Sequence, residues 1–227
     1  MENNFKNAIR TAEFFSYNEC SLAYDFLIRY EYPWQALAHI SEFILELGPQ
    51  LGDEYERLGE NVWIAKDAKI AKSAYINGPC IIDKGAEIRH CAFIRGSAIV
   101  GKNAVVGNST ELKNCILFDN VQVPHYNYVG DSILGYKSHM GAGSITSNVK
   151  SDKTLVTVNT GNGRMETGLK KLGAILGDYV EVGCGSVLNP GTVIGAGSII
   201  YPLSSVRGYV QKNSIYKSKD NIVQKIN

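Results

Sequence analysis

Residues 88–106 read Ile88-Arg89-His90-Cys91-Ala92-Phe93-Ile94-Arg95-Gly96-Ser97-Ala98-Ile99-Val100-Gly101-Lys102-Asn103-Ala104-Val105-Val106. Aliphatic residues stand at 88, 94, 100 and 106, six apart. Ala92, Ala98 and Ala104 each lie four positions after one of them. Worked outward, the same step reaches back through Ile82, Ile76 and Ile70 to Ile64, and forward through Leu112 to Phe118. In a chain that is 44% hydrophobic, ten hits in ten steps has a chance of roughly 0.0003. The pattern resumes at Leu134 and Met140 and returns at Leu176, Val182, Leu188, Ile194, Ile200 and Val206. A period of six fits neither a helix nor a half-buried strand. It predicts an all-β solenoid, a parallel β-helix in which each hexad makes one short side and turns a corner. The aliphatic residue points inward and stacks on its equivalent one coil away, about 4.8 Å along the axis. Gly101, Gly107, Gly141, Gly183 and Gly195 follow inward residues, where the chain is expected to need a free turn. Eighteen hexads, three to a triangular coil, predict about six coils plus irregular pieces.

The breaks divide the chain. Residues 59–210 carry the repeat, residues 1–58 read as a small N-terminal helical cap, and 211–227 as a C-terminal tail. In the cap, Pro33-Trp34 opens a helix. Trp34, Leu37, Ile40, Ile44 and Leu47 continue it, and Gly48 ends it. An earlier helix is expected over Leu22 to Tyr30. The aromatic residues Phe14, Phe15, Tyr17, Tyr24, Phe26, Tyr30 and Trp34 suit packing better than a ligand box. The cap is expected to dock on the first coil and cover an open sheet end. The interval from Phe118 to Leu134 falls short of three full hexads, which predicts a perturbed ladder around Val123 to Tyr128. Residues 146–175 lack hexads and hold Lys150, Asp152, Lys153, Asn159, Gly161, Asn162, Gly163 and Arg164. They read as a loop thrown off the solenoid, and long loops in compact folds are usually functional. The tail, with Lys212, Lys217, Lys219 and Lys225, reads as a solvated end or as a contact for an anionic ligand.

Charge and cysteine usage exclude other classes. Lys plus Arg is 23 and Asp plus Glu is 22, which argues against nucleic-acid binding. Cys20, Cys80, Cys91, Cys115 and Cys184 form no C-x-x-C, so neither a zinc knuckle nor a disulfide framework is expected. The stretch from Val182 to Val206 carries no charge and is long enough to span a bilayer, but its many glycines and its two prolines argue against it. The opening stretch, Met1 to Tyr30, holds no apolar run, so the expected location is the cytoplasm, with no membrane partner.

Two constellations stand out. Lys113 stands three hexads after Arg95, one full coil, so their side chains should stack on one face. Paired cations there can grip a phosphate, with Arg doing so bidentately. His125 sits at the ladder break beside Pro124, where the backbone departs from the repeat.

These residues carry a family resemblance. Hexads of this kind resemble those of left-handed β-helix acyltransferases. Residues 92–206 are similar to the acetyltransferase half of the bifunctional glucosamine-1-phosphate N-acetyltransferase/UDP-N-acetylglucosamine pyrophosphorylases. The similarity runs through Ala92-Phe93-Ile94-Arg95-Gly96, Glu111-Leu112-Lys113-Asn114, His125-Tyr126-Asn127-Tyr128-Val129-Gly130-Asp131, Gly141-Ala142-Gly143-Ser144-Ile145-Thr146, Asn148, and Lys171 to Asp178. Tyr32-Pro33-Trp34 resembles the segment preceding the β-helix in archaeal-type members. No nucleotidyltransferase half is expected, because no Gly-rich nucleotide loop stands near the start.

The resemblance implies acetyl transfer from acetyl-CoA to the amine of a hexosamine phosphate, first of all glucosamine 1-phosphate, by a homotrimer with sites between subunits. A protonated amine must lose a proton before it attacks a thioester, and His suits the base; the resemblance assigns this to His125. It gives phosphate and sugar contacts to Arg95, Glu111, Lys113, Tyr128 and Asn148. It gives the coenzyme to Ala142, Cys184, Pro202 and Lys219, with the amides of Gly141-Ala142-Gly143 as oxyanion donors. Two departures bear on substrate choice. His139 stands where the family has Asn and is still expected to meet the substrate, as a donor or by altering its choice; the family's loop lysine does not align cleanly, and Lys153 or Lys150 is the nearest candidate for that substrate contact. No metal is expected. His90 and His125 have the spacing of two zinc ligands of γ-class carbonic anhydrases, but Gly130 occupies the third place. A non-catalytic nucleotide-sugar-binding or oligomerisation module, or an acyltransferase for another acceptor, is the alternative.

Overall fold

The hexads fold as a left-handed parallel β-helix. The computed structural model describes residues 7–16, 21–159 and 163–225; Tyr17, Cys20, Gly161 and Asn162 lie outside it. The first face stacks Val62–Ala65, Cys80–Ile82, Ala98–Val100, the C-terminal halves of Glu111–Leu117 and Tyr128–Leu134, then Ala174–Leu176, Thr192–Ile194 and Tyr209–Val210. The second stacks Lys69–Ile70, Glu87–Ile88, Val105–Asn108, Gln122–His125, His139–Met140, Glu181–Val182, Ile199–Ile200 and Ser214–Ser218. The third runs from Tyr75–Ile76 and Phe93–Ile94 through the N-terminal halves of the two long strands to Ile145–Thr146, Val187–Leu188 and Ser205–Val206. This makes about eight coils, more than the six expected. A strict step of six loses register wherever a coil shortens.

The corners explain the shortening. A residue in the left-handed backbone region recurs at Cys91, Ser97, Asn103 and Ser109, then at Asn114, Asn120, Tyr126, Asp131 and Lys137. Asn and Asp visit this region at lower cost than most residues. The steps from 109 to 114 and from 126 to 131 are one short of a hexad, so Ala98, Cys115 and Ser132 pair in register after slightly less than three full hexads. The inward residue here is therefore Leu117, paired with Val100 and Leu134. Phe118 turns the other way and stacks on Phe15, with ring centroids 4.8 Å apart. The glycines named above also act differently from expectation, since none of them has a positive φ. They lack room: a Cβ on Gly107 would lie 1.6 Å from the Pro124 carbonyl oxygen of the next coil.

The N-terminal segment does not cap the first coil; it lies along the first face. Trp63, Ile81, Ile99, Ile116, Ile133, Ile175 and Val193 form an outward column there, and all are buried. The segment starts near the C-terminal coils, where the Phe14 carbonyl accepts the Asp178 N–H (3.0 Å). It runs as a 3-10 helix, Pro33–His39, beside Tyr128–Leu134. The α-helix Ile40–Leu47 follows, beside the strands of Ile116 and Ile99. It ends with Gly48 against the Trp63 ring. The opening turn is set by Pro33 and by Gln35, whose side chain accepts the Tyr32 N–H (2.9 Å). The earlier helix is shorter than expected, Tyr24–Leu27. Ring-on-ring contacts such as Phe26–Phe43 (4.3 Å) account for much of the aromatic content.

One end of the first face and the opposite end of the second are each extended by an antiparallel strand. Tyr55–Arg57 pairs antiparallel with Val62–Ala65, and Asn221–Gln224 pairs antiparallel with Ser214–Ser218. The ladder thus continues past residue 210, where the sequence pattern placed a tail. The inserted segment returns at Ala174, and Ile133 pairs directly with Ile175 across it. It carries a small hairpin of its own, Thr157–Asn159 with Arg164–Glu166, whose buried Val156 and Val158 anchor it. Among the described residues, no helix is long and apolar enough to cross a membrane.

Candidate functional site

His125 ends a second-face strand, opposite Asn108. The corner behind it is locked by Asn127, which is buried. The Asn127 Oδ1 accepts the His125 N–H (3.1 Å), and its Nδ2 donates to the carbonyls of Gly141 (2.9 Å) and Ser144 (3.0 Å). The His125 carbonyl accepts the Gly143 N–H (3.0 Å). A fixed backbone therefore presents an exposed imidazole that has no hydrogen-bond partner among the described residues.

The register carries this corner along the axis. Ala142, Cys184 and Pro202 take the place of His125 on successive coils, tied by Gly185 N–H to Ala142 O (2.8 Å) and Leu203 N–H to Cys184 O (2.9 Å). Lys219 follows in the turn between the last two strands. All four are exposed. Three coil steps put Pro202 about 14 Å from His125. Of the amides expected to receive an oxyanion, Gly141 and Gly143 are bonded to Val182 O and His125 O. The Ala142 N–H has no acceptor among the described residues and is the donor left for that task.

A second cluster lies on the third face and at the corner that follows it. Arg95 Nη1 donates to Glu111 Oε1 (2.8 Å). Lys113 Nζ donates to both oxygens of Asp131 (3.0 and 3.2 Å), and Asn114 Nδ2 to Asp131 Oδ1 (3.0 Å). Asn148 Nδ2 donates to the Tyr128 hydroxyl (3.2 Å) and to Asp131 Oδ2. Burial, reinforced by the Asp131 and Glu111 carboxylates, holds the Tyr128 hydroxyl pKa above its usual value. It is therefore a neutral donor and acceptor. Two cations face two carboxylates, so the cluster is close to neutral before any ligand arrives. Arg95 also borders a cavity of about 700 Å³ between the 58–62 turn and residues 76–79.

The fold thus brings together Arg95, Glu111, Lys113, Tyr128 and Asn148, and aligns His125 with Ala142, Cys184, Pro202 and Lys219. It leaves two expected residues apart. His139 sits on the second face opposite Gln122 and Glu181, its Nδ1 2.9 Å from Glu181 Oε2. There it lines a separate cavity of about 390 Å³ with Asn120 and Lys137. Lys153 is exposed in the inserted loop, where Lys150 binds Thr154 and Asp152. Asp131 and Asn114 were not expected as members. Their signal is the even spacing of Asn114, Asp131 and Asn148, two equal steps of one shortened coil each. Among the described residues, no group of three His, Cys, Asp or Glu side chains could hold a metal ion.

The fold places the chain among hexapeptide-repeat β-helix proteins. More narrowly, the family model described as GMPPB C-terminal domain matches residues 76–215, and the chain belongs to that family. The bifunctional protein GlmU of Methanococcus maripaludis is 39% identical over 118 residues, 52% of this chain and 28% of that one. The match thus spans under a third of that relative's length. The putative uncharacterized acetyltransferase YaiX of Escherichia coli is 31% identical over 162 residues, 70% of each chain. A solved mutant of perosamine N-acetyltransferase from Caulobacter crescentus, in complex with CoA and GDP-perosamine, aligns with a TM-score of 0.38. Its identity is 16%, over 73% of this chain and 57% of that one.

Proposed function

We propose that this chain transfers an acetyl group from acetyl-CoA to the amine of a hexosamine phosphate, with glucosamine 1-phosphate the leading acceptor. The observation that carries this reading is the exposed column from His125 through Ala142, Cys184 and Pro202, on whose first coil Tyr128 also stands, together with the Tyr128 cluster that holds Arg95 and Lys113. The column suits an extended pantetheine arm, with Lys219 at the end where coenzyme phosphates would lie. The acceptor phosphate would be met by Arg95 and Lys113, and the sugar by Glu111, Tyr128 and Asn148.

In this mechanism the acceptor reacts from its neutral amine form, and His125 takes the proton that the nitrogen sheds as it attacks the thioester carbonyl. The Ala142 N–H faces the oxygen that gains charge. The C–S bond then breaks, and the imidazolium returns the proton to the departing thiolate. The same reading holds that the protein works in the cytoplasm as a homotrimer with sites between subunits. His139 and Lys153 enter it only through a neighbouring subunit or loop movement.

The test is free-thiol release from acetyl-CoA against a panel of amino sugars and their phosphates. His125→Ala is expected to lower turnover by roughly 10²–10⁴-fold with assembly intact, because its side chain bonds no other group among the described residues. An unchanged kcat would remove His125 as the base.

A further inference from the structure

Asp131 is 4% exposed and occupies the left-handed backbone region (φ 48°). It is the residue of the cluster that touches its neighbours on both sides along the axis, Asn114 and Lys113 on one coil and Asn148 on the next. Its carboxylate accepts from three side chains, one of them a cation. Its own carbonyl accepts the Gly173 N–H (2.8 Å), which ties down the returning end of the inserted loop.

A carboxylate can only accept, so it decides which way each neighbour faces. Lys113 has a flexible four-carbon stem and is 26% exposed at its side chain, whereas Asp131 is 5% exposed. The ammonium is therefore drawn to a fixed point beside Arg95, and the cost of ordering the stem is met before a ligand binds. Asn148 must turn its Nδ2 toward Asp131, which settles an amide orientation that would otherwise be ambiguous. Its Oδ1 then has no donor among the described residues and is free to accept one. One buried group thus presents a cation donor and a neutral acceptor side by side. That pattern complements a sugar carrying both a phosphate and an amine or hydroxyl.

We propose that Asp131 is a positioning residue for the acceptor, fixing Lys113 for its phosphate and the Asn148 Oδ1 for its N–H or O–H groups; this role rests on the acetyl-transfer reading above. Asp131 touches no substrate itself, so its effect should appear through Lys113 and Asn148 alone.

The experiment measures kcat and both KM values for acetyl-CoA and glucosamine 1-phosphate in the wild-type chain and in Asp131→Asn, Lys113→Met and the double variant. Asp131→Asn is expected to raise the acceptor KM roughly 10–100-fold while leaving the acetyl-CoA KM unchanged. In the Lys113→Met background the same change should cost less, because the part of its effect that runs through Lys113 is already lost. An unchanged acceptor KM, an equal rise for both substrates, or full additivity would overturn the role. If Asp131→Asn does not fold, Asp131→Glu keeps the charge but moves it by one methylene. It should still raise the acceptor KM selectively, and a wild-type acceptor KM in that variant would overturn the role. Active wild type with an unperturbed variant removes the role of Asp131 alone. Wild type inactive on every amino-sugar phosphate removes both the role and the acetyl-transfer reading.

Discussion

Replacing Ile116 by Ala tests how the N-terminal segment is used. Ile116 points away from the solenoid axis, between Ile99 and Ile133 in the outward column of the first face. On a bare solenoid it would face water, and its truncation would change stability by no more than about 0.5 kcal/mol. In this structure it is fully buried beneath the helix Ile40–Leu47. Three carbons are removed, at about 0.8 kcal/mol each, which gives about 2.4 kcal/mol of lost transfer energy. The space left under a helix braced against several coils closes only in part, so the total should reach about 3–4 kcal/mol. For a chain of this size each kcal/mol lowers the melting temperature by about 2–4 °C, so the expected fall is roughly 6–16 °C. Thermal unfolding followed by circular dichroism reads it. Ile222→Ala on the last strand is the control, since Ile222 is 44% exposed and should shift little. An Ile116→Ala shift no larger than the control would refute the covered face.

Gly107→Ala should destabilise by at least about 1–3 kcal/mol, since its Cβ would overlap the Pro124 carbonyl of the adjacent coil. A melting temperature equal to wild type would contradict that packing, and lower turnover is also expected because His125 follows Pro124. Asp178 accepts the N–H groups of Ser16 and Tyr136, yet burial raises its pKa above the ordinary 3.8. The folded state then holds this proton more tightly than the unfolded state. Its contribution is complete below 3.8 and is lost as pH rises through the folded value. Asp178→Asn lacks that loss, so its stability relative to wild type should improve as pH rises from about 4 to 7. Urea unfolding at both pH values measures this, and a constant or opposite difference would refute it.

The repeat was legible because each inward aliphatic residue meets the same demand on every coil. The expected stacking of Arg95 and Lys113 followed from the length of one coil alone, and in the structure each of the two reaches a carboxylate of the cluster. Phe118 keeps the step of six yet does not point inward, because the corner at Asn114 comes one residue early and no pattern of hydrophobicity registers a backbone angle. Asp131 passed as one letter of a motif. Its partners lie about a coil away in either direction, and nothing local marks a carboxylate as a hub. The outward column also left a signal, a second aliphatic beside the inward one in Ile81-Ile82, Ile99-Val100, Ile116-Leu117, Ile133-Leu134, Ile175-Leu176 and Val193-Ile194. The repeat of six hid it, because the column recurs only once per coil.

Local spacing was enough to define the solenoid, its three sides, the place of the inserted loop and the corner that carries His125. The chain must obey that spacing coil by coil, so it is written into every hexad. Packing between distant segments settled the rest. It laid residues 21–50 along one face instead of over an end, matched the cations of the cluster with carboxylates, and turned His139 away from them. Those outcomes depend on which surfaces meet across many coils, and a buried face or a buried charge is resolved only when its partner arrives from far along the chain.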